Sequence, residues 1–231
     1  MSQPKILIVL PAFNEEATIG KVIDEIPKSD LEQAGYKVEV LVVDNNSTDR
    51  TRRIAYQKGA TIIVELRKGK GRAVITALNS VNADFIFMLD TDYTYPANRI
   101  PDMLKLLNHH HAVIGSRIKG QREKHAMSWL NLIGNRFLSL LASMLYQRRV
   151  SDVCSGYWGF KAEVIEKLRL RAVGFELEAE LFSQLARRGY SIAELPILYR
   201  RRVNRPKLSP LRDGFRIGRV LIAKRFSKLT D

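Results

Sequence analysis

Short apolar runs alternate with helix-like segments through the first part of the chain, and this alternation limits the fold more than any other feature. The runs at 6–10, 38–43, 61–64 and 85–89 have the length and composition of buried strands. Helical patterns separate them at 16–26, 50–58 and 71–81. Strands and helices at this spacing form right-handed crossover units, whose helices cover both faces of a parallel sheet. The sequence therefore predicts an α/β fold with a mostly parallel central sheet.

Polar residues follow three of these predicted strands. Asn14 and Glu15 come after the first strand, Asp44 after the second, and Asp90 and Asp92 after the fourth. The carboxyl ends of parallel strands lie at the edge of the sheet where ligands bind. We therefore expect the three clusters to share one crevice.

Asp90 and Asp92 are the strongest candidates for a metal site. Hard carboxylate oxygens suit Mg²⁺ or Mn²⁺, and these ions often complete their coordination with substrate phosphates. The pair therefore predicts a site that holds a diphosphate through a metal ion. A simple turn over residues 90–96 is the alternative interpretation.

Two further segments have the chemistry of a nucleotide site. Asp44 could accept hydrogen bonds from a base N–H or from ribose hydroxyls; its alternative role is a helix cap, for which Ser47 and Asp49 are better placed. Gly69-Lys70-Gly71 at a helix start could offer backbone N–H groups and an ammonium to a diphosphate, or could be a solvated basic turn. Neither a P-loop nor a Gly-X-Gly-X-X-Gly pattern is found, which argues against P-loop NTPases and dinucleotide enzymes.

Four motifs in the first half together resemble the inverting family 2 glycosyltransferases, which have the GT-A fold. The motifs are Pro11-Ala12-Phe13-Asn14-Glu15-Glu16, Val42-Val43-Asp44-Asn45-Asn46-Ser47-Thr48-Asp49, Gly69-Lys70-Gly71 and Asp90-Thr91-Asp92. In that family the first two motifs bind the nucleoside, and the Asp-X-Asp pair holds the donor diphosphate through a divalent cation. The resemblance implies a metal site at Asp90 and Asp92 and a nucleotide-sugar site of Pro11, Ala12, Asn14, Glu15, Asp44, Asn46, Ser47, Lys70, Asp90, Thr91 and Asp92.

The second half resembles the dolichyl-phosphate mannose or glucose synthase branch of the family, whose acceptor is a polyprenyl phosphate. The segments that carry this resemblance are Gly115-Ser116-Arg117, a helix at 129–147 and the stretches 150–157, 174–181 and 202–214. The chain has Asn204-Arg205-Pro206-Lys207-Leu208 where the branch usually has Gly-X-Ser-Lys-Leu. A UDP-sugar donor is favoured because residues 90–96 lack the glutamine associated with GDP-mannose relatives, although GDP-mannose stays open.

Three arginines are candidates for binding the acceptor phosphate: Arg117, Arg136 and Arg202. A guanidinium stays ionised and binds phosphate with two parallel hydrogen bonds. Arg117 follows a predicted strand, and Arg136 lies in an otherwise apolar helix, where an unpaired buried charge would be costly. Each could instead be an ordinary surface arginine. Asp152 is predicted as a catalytic carboxylate beside the attacking oxygen, with Asp92 acting through the metal; the alternative for Asp152 is to orient an arginine.

Four other residues near these segments carry weaker expectations. Glu178 is expected to line the acceptor side, whereas Glu176 and Glu180 are expected on the solvated face of a helix. The single cysteine, Cys154, is expected to be a small buried residue rather than a nucleophile. One cysteine excludes an internal disulfide framework and fits a reducing compartment.

The formal net charge of +14 and the pI near 10.0 require a partner or surface that tolerates strong positive potential: nucleic acid, an anionic membrane or phosphorylated ligands. Between 199 and 231 there are 11 Lys and Arg against 2 Asp, interleaved with apolar residues, a pattern expected on anionic lipid. We expect a glycosyltransferase domain at 1–200 and a basic C-terminal segment at 201–231, with an amphipathic helix that contacts the membrane or packs on protein. Without a signal peptide or spanning segment, the expected location is the cytoplasmic face of the membrane, peripherally bound.

Two other functional classes remain as alternatives. A family 2 enzyme could act on a soluble or non-phosphate acceptor, with the basic segment serving association, including homo-oligomer formation. A nucleic-acid-binding protein is suggested by the pI alone. The sequence has no recognition-helix motif, zinc module or aromatic stacking platform, so nucleic acid is not an expected partner.

Overall fold

A mixed sheet of seven strands forms the centre of the computed structural model, which describes residues 3–79, 82–204 and 209–228. In space the strands follow the order β3-β2-β1-β4-β6-β5-β7. Their bounds are β1 Lys5–Ala12, β2 Lys37–Asp44, β3 Thr61–Val64, β4 Phe85–Met88, β5 Ala112–Ser116, β6 Trp158–Lys161 and β7 Ile192–Pro196. The prediction of an α/β fold with a mostly parallel sheet is confirmed.

The helices cover both faces of this sheet. They are α1 Ile19–Glu25, α2 Lys28–Gln33, α3 Thr51–Gln57, α4 Lys70–Leu78, α5 Ile100–Leu107, α6 Trp129–Tyr146, α7 Ala162–Ile165, α8 Leu177–Arg187 and α9 Pro210–Phe226. The short α2 was not predicted, and the predicted first helix begins later, at Ile19. The predicted end of the third helix, at 81, lies outside the described residues.

The antiparallel strand β6 is central to the position of the site. β3, β2, β1 and β4 run parallel, with Ala12 opposite Asp44 at their carboxyl ends. β6 runs antiparallel to both β4 and β5, and Met88 pairs with Trp158. An antiparallel strand begins at the edge where its parallel neighbours end. The residues just before β6, 150–157, therefore reach the edge that carries Asp90.

Apolar residues of the central strands are buried on both faces, as expected for strands between two helical layers. Ile6, Ile8 and Leu10 pack with α1 and α5 on one face. Leu7 and Val9 pack with α4, α6, α8 and α9 on the other. All five side chains are fully buried. The strand ends, rather than the strand centres, are thus left to carry polar chemistry.

The C-terminal helix α9 packs against α6 and α8. Ile217 and Leu221 are buried in this contact, and the hydroxyl of Tyr146 donates to the carbonyl oxygen of Leu221 at 2.7 Å. Lys224 forms an ion pair with Glu180 of α8. One face of the predicted basic helix is therefore attached to the rest of the protein. Within the described ranges, no helix has both the length and the apolar character needed to cross a bilayer.

Candidate active site

A cavity of ≈ 220 Å³ opens at the carboxyl edge of the sheet, beside the ends of β1 and β4. It brings together most of the residues predicted for the nucleotide sugar and one predicted acceptor arginine. These lining residues are Pro11, Ala12, Glu15, Lys70, Asp90, Thr91, Asp92 and Arg202. Sequence reasoning had assigned no individual role to the others, which are Phe13, Asn45, Lys68, Gly69, Ala73 and Phe175.

Each aspartate of the Asp90 and Asp92 pair is held by a cation of the protein. The Nζ atom of Lys70 lies 2.5 Å from Asp90 Oδ1, and the Nη2 atom of Arg202 lies 2.5 Å from Asp92 Oδ2. The other oxygen of Asp92 accepts hydrogen bonds from the backbone N–H and hydroxyl of Thr94. Burial and the charge of Asp90 raise the pKa of Asp92, while Arg202 opposes this shift. Both acids therefore lie at the cavity with counter-charges beside them.

Lys70 bridges two carboxylates. Its Nζ atom also lies 2.6 Å from Glu178 Oε1, and both side chains are almost fully buried. Burial would lower the pKa of Lys70, but the charges of Asp90 and Glu178 raise it above its ordinary value. Burial raises the pKa of Glu178. Glu178 therefore lies beside the lysine that contacts Asp90, and the expectation that it lines the acceptor side stays a prediction.

The turn that carries Lys70 requires glycine on both sides. Gly69 has φ +137°, a region that favours glycine, and a Cβ there would lie 2.2 Å from the carbonyl oxygen of Val173. A Cβ on Gly71 would lie 2.3 Å from the carbonyl oxygen of Ala172. The Gly69 N–H also donates to Asn45 Oδ1 at 2.7 Å. The backbone before α8 therefore contacts this turn directly and fixes the position of the Lys70 backbone.

Carboxylates of α8 and its N-cap hold that backbone. Glu180 Oε2 accepts the N–H groups of Arg171 at 2.8 Å and Ala172 at 2.7 Å, and Glu176 Oε1 accepts the N–H of Val173 at 3.0 Å. Glu180 is buried and Glu176 is partly buried. The expectation that both lie on a solvated helix face is wrong, because the segment before α8 folds over them and supplies backbone donors.

Asp152 binds Arg117 through a buried ion pair. Its carboxylate accepts hydrogen bonds from Arg117 Nε at 2.8 Å, from Nη2 at 2.6 Å and from the Arg117 backbone N–H at 2.8 Å. Asn135 Nδ2 donates a fourth, at 2.8 Å. Asp152 is fully buried, and Arg117 is nearly so. This geometry favours the interpretation that Asp152 orients an arginine, and its role beside an attacking oxygen stays a prediction.

Tyr199 lies between two of the predicted acceptor arginines. The guanidinium of Arg117 lies over its ring, 5.3 Å from the centroid, and Arg202 hydrogen-bonds to its hydroxyl. Burial alone would lower the pKa of Arg202, but the charge of Asp92 and the contact with Tyr199 raise it. Tyr199 thus connects Arg117 with Arg202, and Arg202 is the arginine that pairs with Asp92.

Arg136 lies elsewhere, exposed on the surface of α6. The reasoning that it would be a costly charge inside an apolar helix is wrong. The helix turns much of its apolar surface toward solvent, so the guanidinium remains hydrated. Its neighbour Asn135 is the residue of this helix that reaches the Asp152 and Arg117 pair.

The first two motifs join the loops after β1 and β2. The Asn14 N–H donates to Ser47 Oγ at 2.9 Å, and the Ser47 N–H donates to Asp44 Oδ2 at 3.1 Å. Asp44 is fully buried and pairs with Arg52 at 3.1 Å. Asn14 and Asn46 both have positive φ, 50° and 62°. These four predicted residues therefore shape the loops, and their contact with a nucleoside stays a prediction.

The sequence profile of Glycosyl transferase family 2 matches residues 7–169 of the chain. The chain belongs to this family. The matched range contains the Asp90 and Asp92 pair, the glycine turn and Asp152. The resemblance noted from the motifs is confirmed.

Two relatives of this glycosyltransferase come from Haloferax volcanii. A dolichyl-phosphate hexose transferase is 35% identical over 93% of this chain and 91% of its own length. The glycosyltransferase AglJ is 35% identical over 90% of this chain and 68% of its own length.

Solved GT-A enzymes have the same fold. The structure of Mycobacterium tuberculosis glucosyl-3-phosphoglycerate synthase with phosphoglyceric acid superposes with a TM-score of 0.73 and 27% identity, over 98% of this chain and 80% of that one. A structure of the same enzyme with Mn²⁺, UDP and glucosyl-3-phosphoglycerate has a TM-score of 0.73 and 27% identity, over 96% and 78% of the two chains.

Two carboxylates of the glycosyltransferase cavity suit a divalent cation that is shared with substrate. The cavity is lined by three acids, Glu15, Asp90 and Asp92, and three cations, Lys68, Lys70 and Arg202, so the aspartate pair rather than the overall charge indicates a metal site. Among the described residues, no cluster of three or more His, Cys, Asp or Glu side chains could hold a metal. A pair of carboxylates is the ligand set of an ion that completes its coordination with diphosphate oxygens and water. The residues present therefore fit Mg²⁺ or Mn²⁺.

Proposed function

We propose that this glycosyltransferase moves a hexose, with inversion, from a nucleotide-diphosphate sugar to a polyprenyl phosphate such as dolichyl phosphate. UDP-sugars are the favoured donors, and GDP-mannose is the second choice. One observation carries the proposal: Arg117 and Arg202 both contact Tyr199, and Arg202 forms an ion pair with Asp92. Two guanidinium groups beside a diphosphate site would suit an acceptor that is itself a phosphate.

The donor would occupy the cavity at the carboxyl edge. Asp90 and Asp92 would hold Mg²⁺ or Mn²⁺, which when bound stabilises negative charge on the departing diphosphate. Lys70, fixed between Asp90 and Glu178, would supply a second positive charge at the same place. The loops that contain Asn14, Asp44, Asn46 and Ser47 would bind the nucleoside.

The acceptor phosphate would be held by Arg117 and Arg202. One of its oxygens attacks the anomeric carbon as the bond to the donor diphosphate breaks, and the electron pair leaves with the nucleoside diphosphate. Attack opposite the leaving group inverts the anomeric configuration. A phosphate oxygen is already ionised near neutral pH, so it needs little help from a general base. Asp152 would then act by holding Arg117 in place.

A lipid acceptor in an anionic membrane would also account for the strong positive charge of the protein. We place the enzyme peripherally on the cytoplasmic face of the membrane, with the basic segment 201–231 at the anionic surface. The named activity of the Haloferax volcanii dolichyl-phosphate hexose transferase supports a polyprenyl-phosphate acceptor. The complexes of the mycobacterial enzyme with Mn²⁺ and UDP support the metal and the UDP donor.

A soluble phosphorylated acceptor is the second candidate. It is favoured by the similarity to an enzyme that was solved with phosphoglyceric acid, a small soluble phosphate. The same two arginines could hold either kind of phosphate, so the acceptor must be distinguished by experiment.

The test is a panel of radiolabelled UDP-sugars and GDP-mannose, incubated with the purified protein and Mg²⁺ or Mn²⁺. One arm contains a short polyprenyl phosphate, a second the matching polyprenol without phosphate, and a third 3-phosphoglycerate. Organic extraction separates lipid-linked product from soluble product, and NMR of the product gives the anomeric configuration. We expect label in the organic phase in the polyprenyl-phosphate arm alone.

Transfer to 3-phosphoglycerate alone would replace the lipid acceptor by the soluble one. Equal transfer to the polyprenol and its phosphate would contradict the role of the two arginines. Full activity in the presence of EDTA would contradict the metal role of Asp90 and Asp92.

A further inference from the structure

Three polar residues of helix α6 face the rest of the protein, whereas Arg136 is exposed. Asn135 binds Asp152, the Ser139 hydroxyl accepts the N–H of Val153 at 3.1 Å, and the Ser143 hydroxyl accepts the N–H of Val150 at 3.1 Å. A helix on the surface of a globular protein normally turns its polar residues outward. In α6 the hydrogen-bonding side chains are used to hold the segment before β6.

The outer surface of α6 is apolar instead. Six large side chains are between 51% and 72% exposed along its length: Trp129, Leu130, Ile133, Phe137, Leu140 and Met144. Their spacing repeats every three or four residues over most of the helix, so they form a continuous stripe. A continuous apolar stripe is unusual on a monomer and marks a binding surface.

Helix α9, which packs against α6, adds a second apolar row and a set of cations. Its exposed apolar side chains are Leu211, Phe215, Ile222 and Phe226. Its exposed arginines are Arg212, Arg216, Arg219 and Arg225. We call the exposed apolar and basic side chains of α6 and α9 the α6/α9 face.

Exposed acids are missing from both helices. The sequence of α6 contains no Asp or Glu, and the single acid of α9, Asp213, is buried, where it accepts the N–H of Ser209 at 2.7 Å. Arg212 lies 3.8 Å from Asp213, and although burial would raise the pKa of Glu176, the charge of Arg216 helps to lower it, so the face joins large apolar side chains to an excess rather than a full set of unpaired positive charges. This combination matches the headgroup and acyl boundary of an anionic bilayer.

We propose that the α6/α9 face is the membrane-binding surface of the protein, and that the apolar stripe of α6 enters the outer part of the bilayer while the arginines contact anionic headgroups. This deepens the proposed function, on which it rests for the identity of the acceptor, because it moves the main apolar contact from the C-terminal segment to α6. The occupant is an anionic lipid surface.

The position of α6 explains why such a surface would serve the reaction. Asn135, on the inner side of the same helix, donates to Asp152, which holds Arg117. The proposed phosphate-binding arginine is thus connected to the membrane-facing helix through two side chains.

The charge of the face argues against a second copy of the chain as its occupant. Two such faces in contact would bring Arg136, Arg216 and Arg219 of each copy into an interface without exposed carboxylates from α6 or α9. Like charges that are removed from water repel strongly. Nucleic acid would pair with the arginines but leave the apolar stripe without a partner.

The tryptophans provide a direct test. Trp129 is 72% exposed at the start of the stripe, whereas Trp158 is fully buried in the sheet. Full-length protein is mixed with phosphatidylcholine vesicles that contain phosphatidylglycerol, lack polyprenyl phosphate and carry a doxyl quencher at a shallow acyl position. We expect a blue shift and quenching of the tryptophan emission, and loss of both in Trp129→Phe.

The matched variants are Phe137→Glu on the stripe and Tyr56→Glu on α3, which replace side chains of similar exposure, 64% and 75%. Vesicle sedimentation should show an about ten-fold weaker partition for Phe137→Glu, since a charge replaces an apolar side chain at the boundary. Tyr56→Glu should bind like the unmodified protein. Circular dichroism checks that both variants remain folded.

The proposal would be overturned if the protein sedimented with the vesicles while the emission of Trp129 stayed unquenched, because another surface would then bind the membrane. Equal binding of the two variants, or a concentration-dependent dimer that Phe137→Glu dissociates, would overturn it as well. The assay contains neither donor nor acceptor. If Trp129 inserts normally but the protein fails to transfer a sugar in the panel assay, the proposed function is rejected while the proposed membrane surface is retained.

Discussion

Replacing Asp152 by asparagine would remove the charge opposite a buried guanidinium. Its carboxylate accepts four hydrogen bonds, three from Arg117 and one from Asn135, all between 2.6 and 2.8 Å. An asparagine has nearly the same shape but only one acceptor oxygen, and its NH₂ group would face the donors of Arg117. The variant therefore leaves a buried cation without its partner.

The expected cost follows from this burial. Removing one partner of a buried ion pair lowers the free energy of unfolding by about 3–5 kcal/mol. For a chain of 231 residues, each kcal/mol corresponds to roughly 2–4 °C in the melting temperature, so we expect a decrease of about 10 °C. The matched control is Asp102→Asn on α5, whose partly exposed carboxylate pairs with Arg99 and Lys105. Surface pairs contribute about 0–1 kcal/mol, so this control should melt almost like the unmodified protein.

A double-mutant cycle with Arg117→Met separates the two roles of Asp152. If Asp152 acts only by holding Arg117, the double variant should lose no more activity than Arg117→Met alone, because the function of the pair is already lost. If Asp152 also contacts the attacking oxygen, its loss should reduce activity further. The measurements are thermal melts followed by circular dichroism and initial rates of the four proteins. Unchanged melting of Asp152→Asn, or additive losses of activity, would refute the positioning role.

Three further outcomes are expected from other parts of the molecule. Asp92→Ala should abolish transfer while the circular dichroism spectrum stays native, and an unchanged rate would count against the metal role. Gly156→Ala should weaken the binding of UDP with Mn²⁺ measured by calorimetry, because the added Cβ would lie 2.5 Å from Asp90 Oδ2. The control is Gly134→Ala on α6, where the Cβ has open space; it should bind UDP normally and raise the free energy of unfolding by about 0.5–1 kcal/mol. Equal UDP affinities of the two variants would contradict this geometry. Cys154 is partly buried, and burial raises the pKa of its thiol to about 12, so native protein should be alkylated by iodoacetamide more slowly at neutral pH than denatured protein; equal rates in mass spectrometry would contradict this shift.

The proposed donor half of the site could be predicted because its signals are local. Each strand is a short apolar run, and the residue that matters follows it directly, so the rule for parallel sheets brings Glu15 and Asp90 to one edge. The glycines around Lys70 were likewise visible as a turn before a helix. The structure confirms the fold and brings these residues into one cavity.

The side chains that hold the site residues in place could not be predicted, because they act through contacts between distant parts of the chain. Lys70 and Glu178 are 108 positions apart, and Glu180 is buried only because residues 171–173 fold back over it. In sequence both glutamates resemble the polar face of an ordinary amphipathic helix. For α6 the periodicity was read correctly as a helix, but it does not say which face meets the protein. Arg136 was therefore expected inside, and it is outside.

Helix α8 connects the two sides of the molecule through these glutamates. Glu178 binds the lysine that contacts Asp90, and Glu180, two residues further along the helix, binds Lys224 of α9. The second oxygen of Glu180 fixes the backbone at Ala172, which presses on the glycine turn.

A buried carboxylate that loses its cation is costly, so α9 cannot leave α8 without disturbing that backbone. The helix that carries half of the α6/α9 face therefore also keeps the glycine turn around Lys70 in place. Because of this connection, removing the C-terminal segment is a poor test of membrane binding, and single substitutions on the exposed side of α6 are a better one.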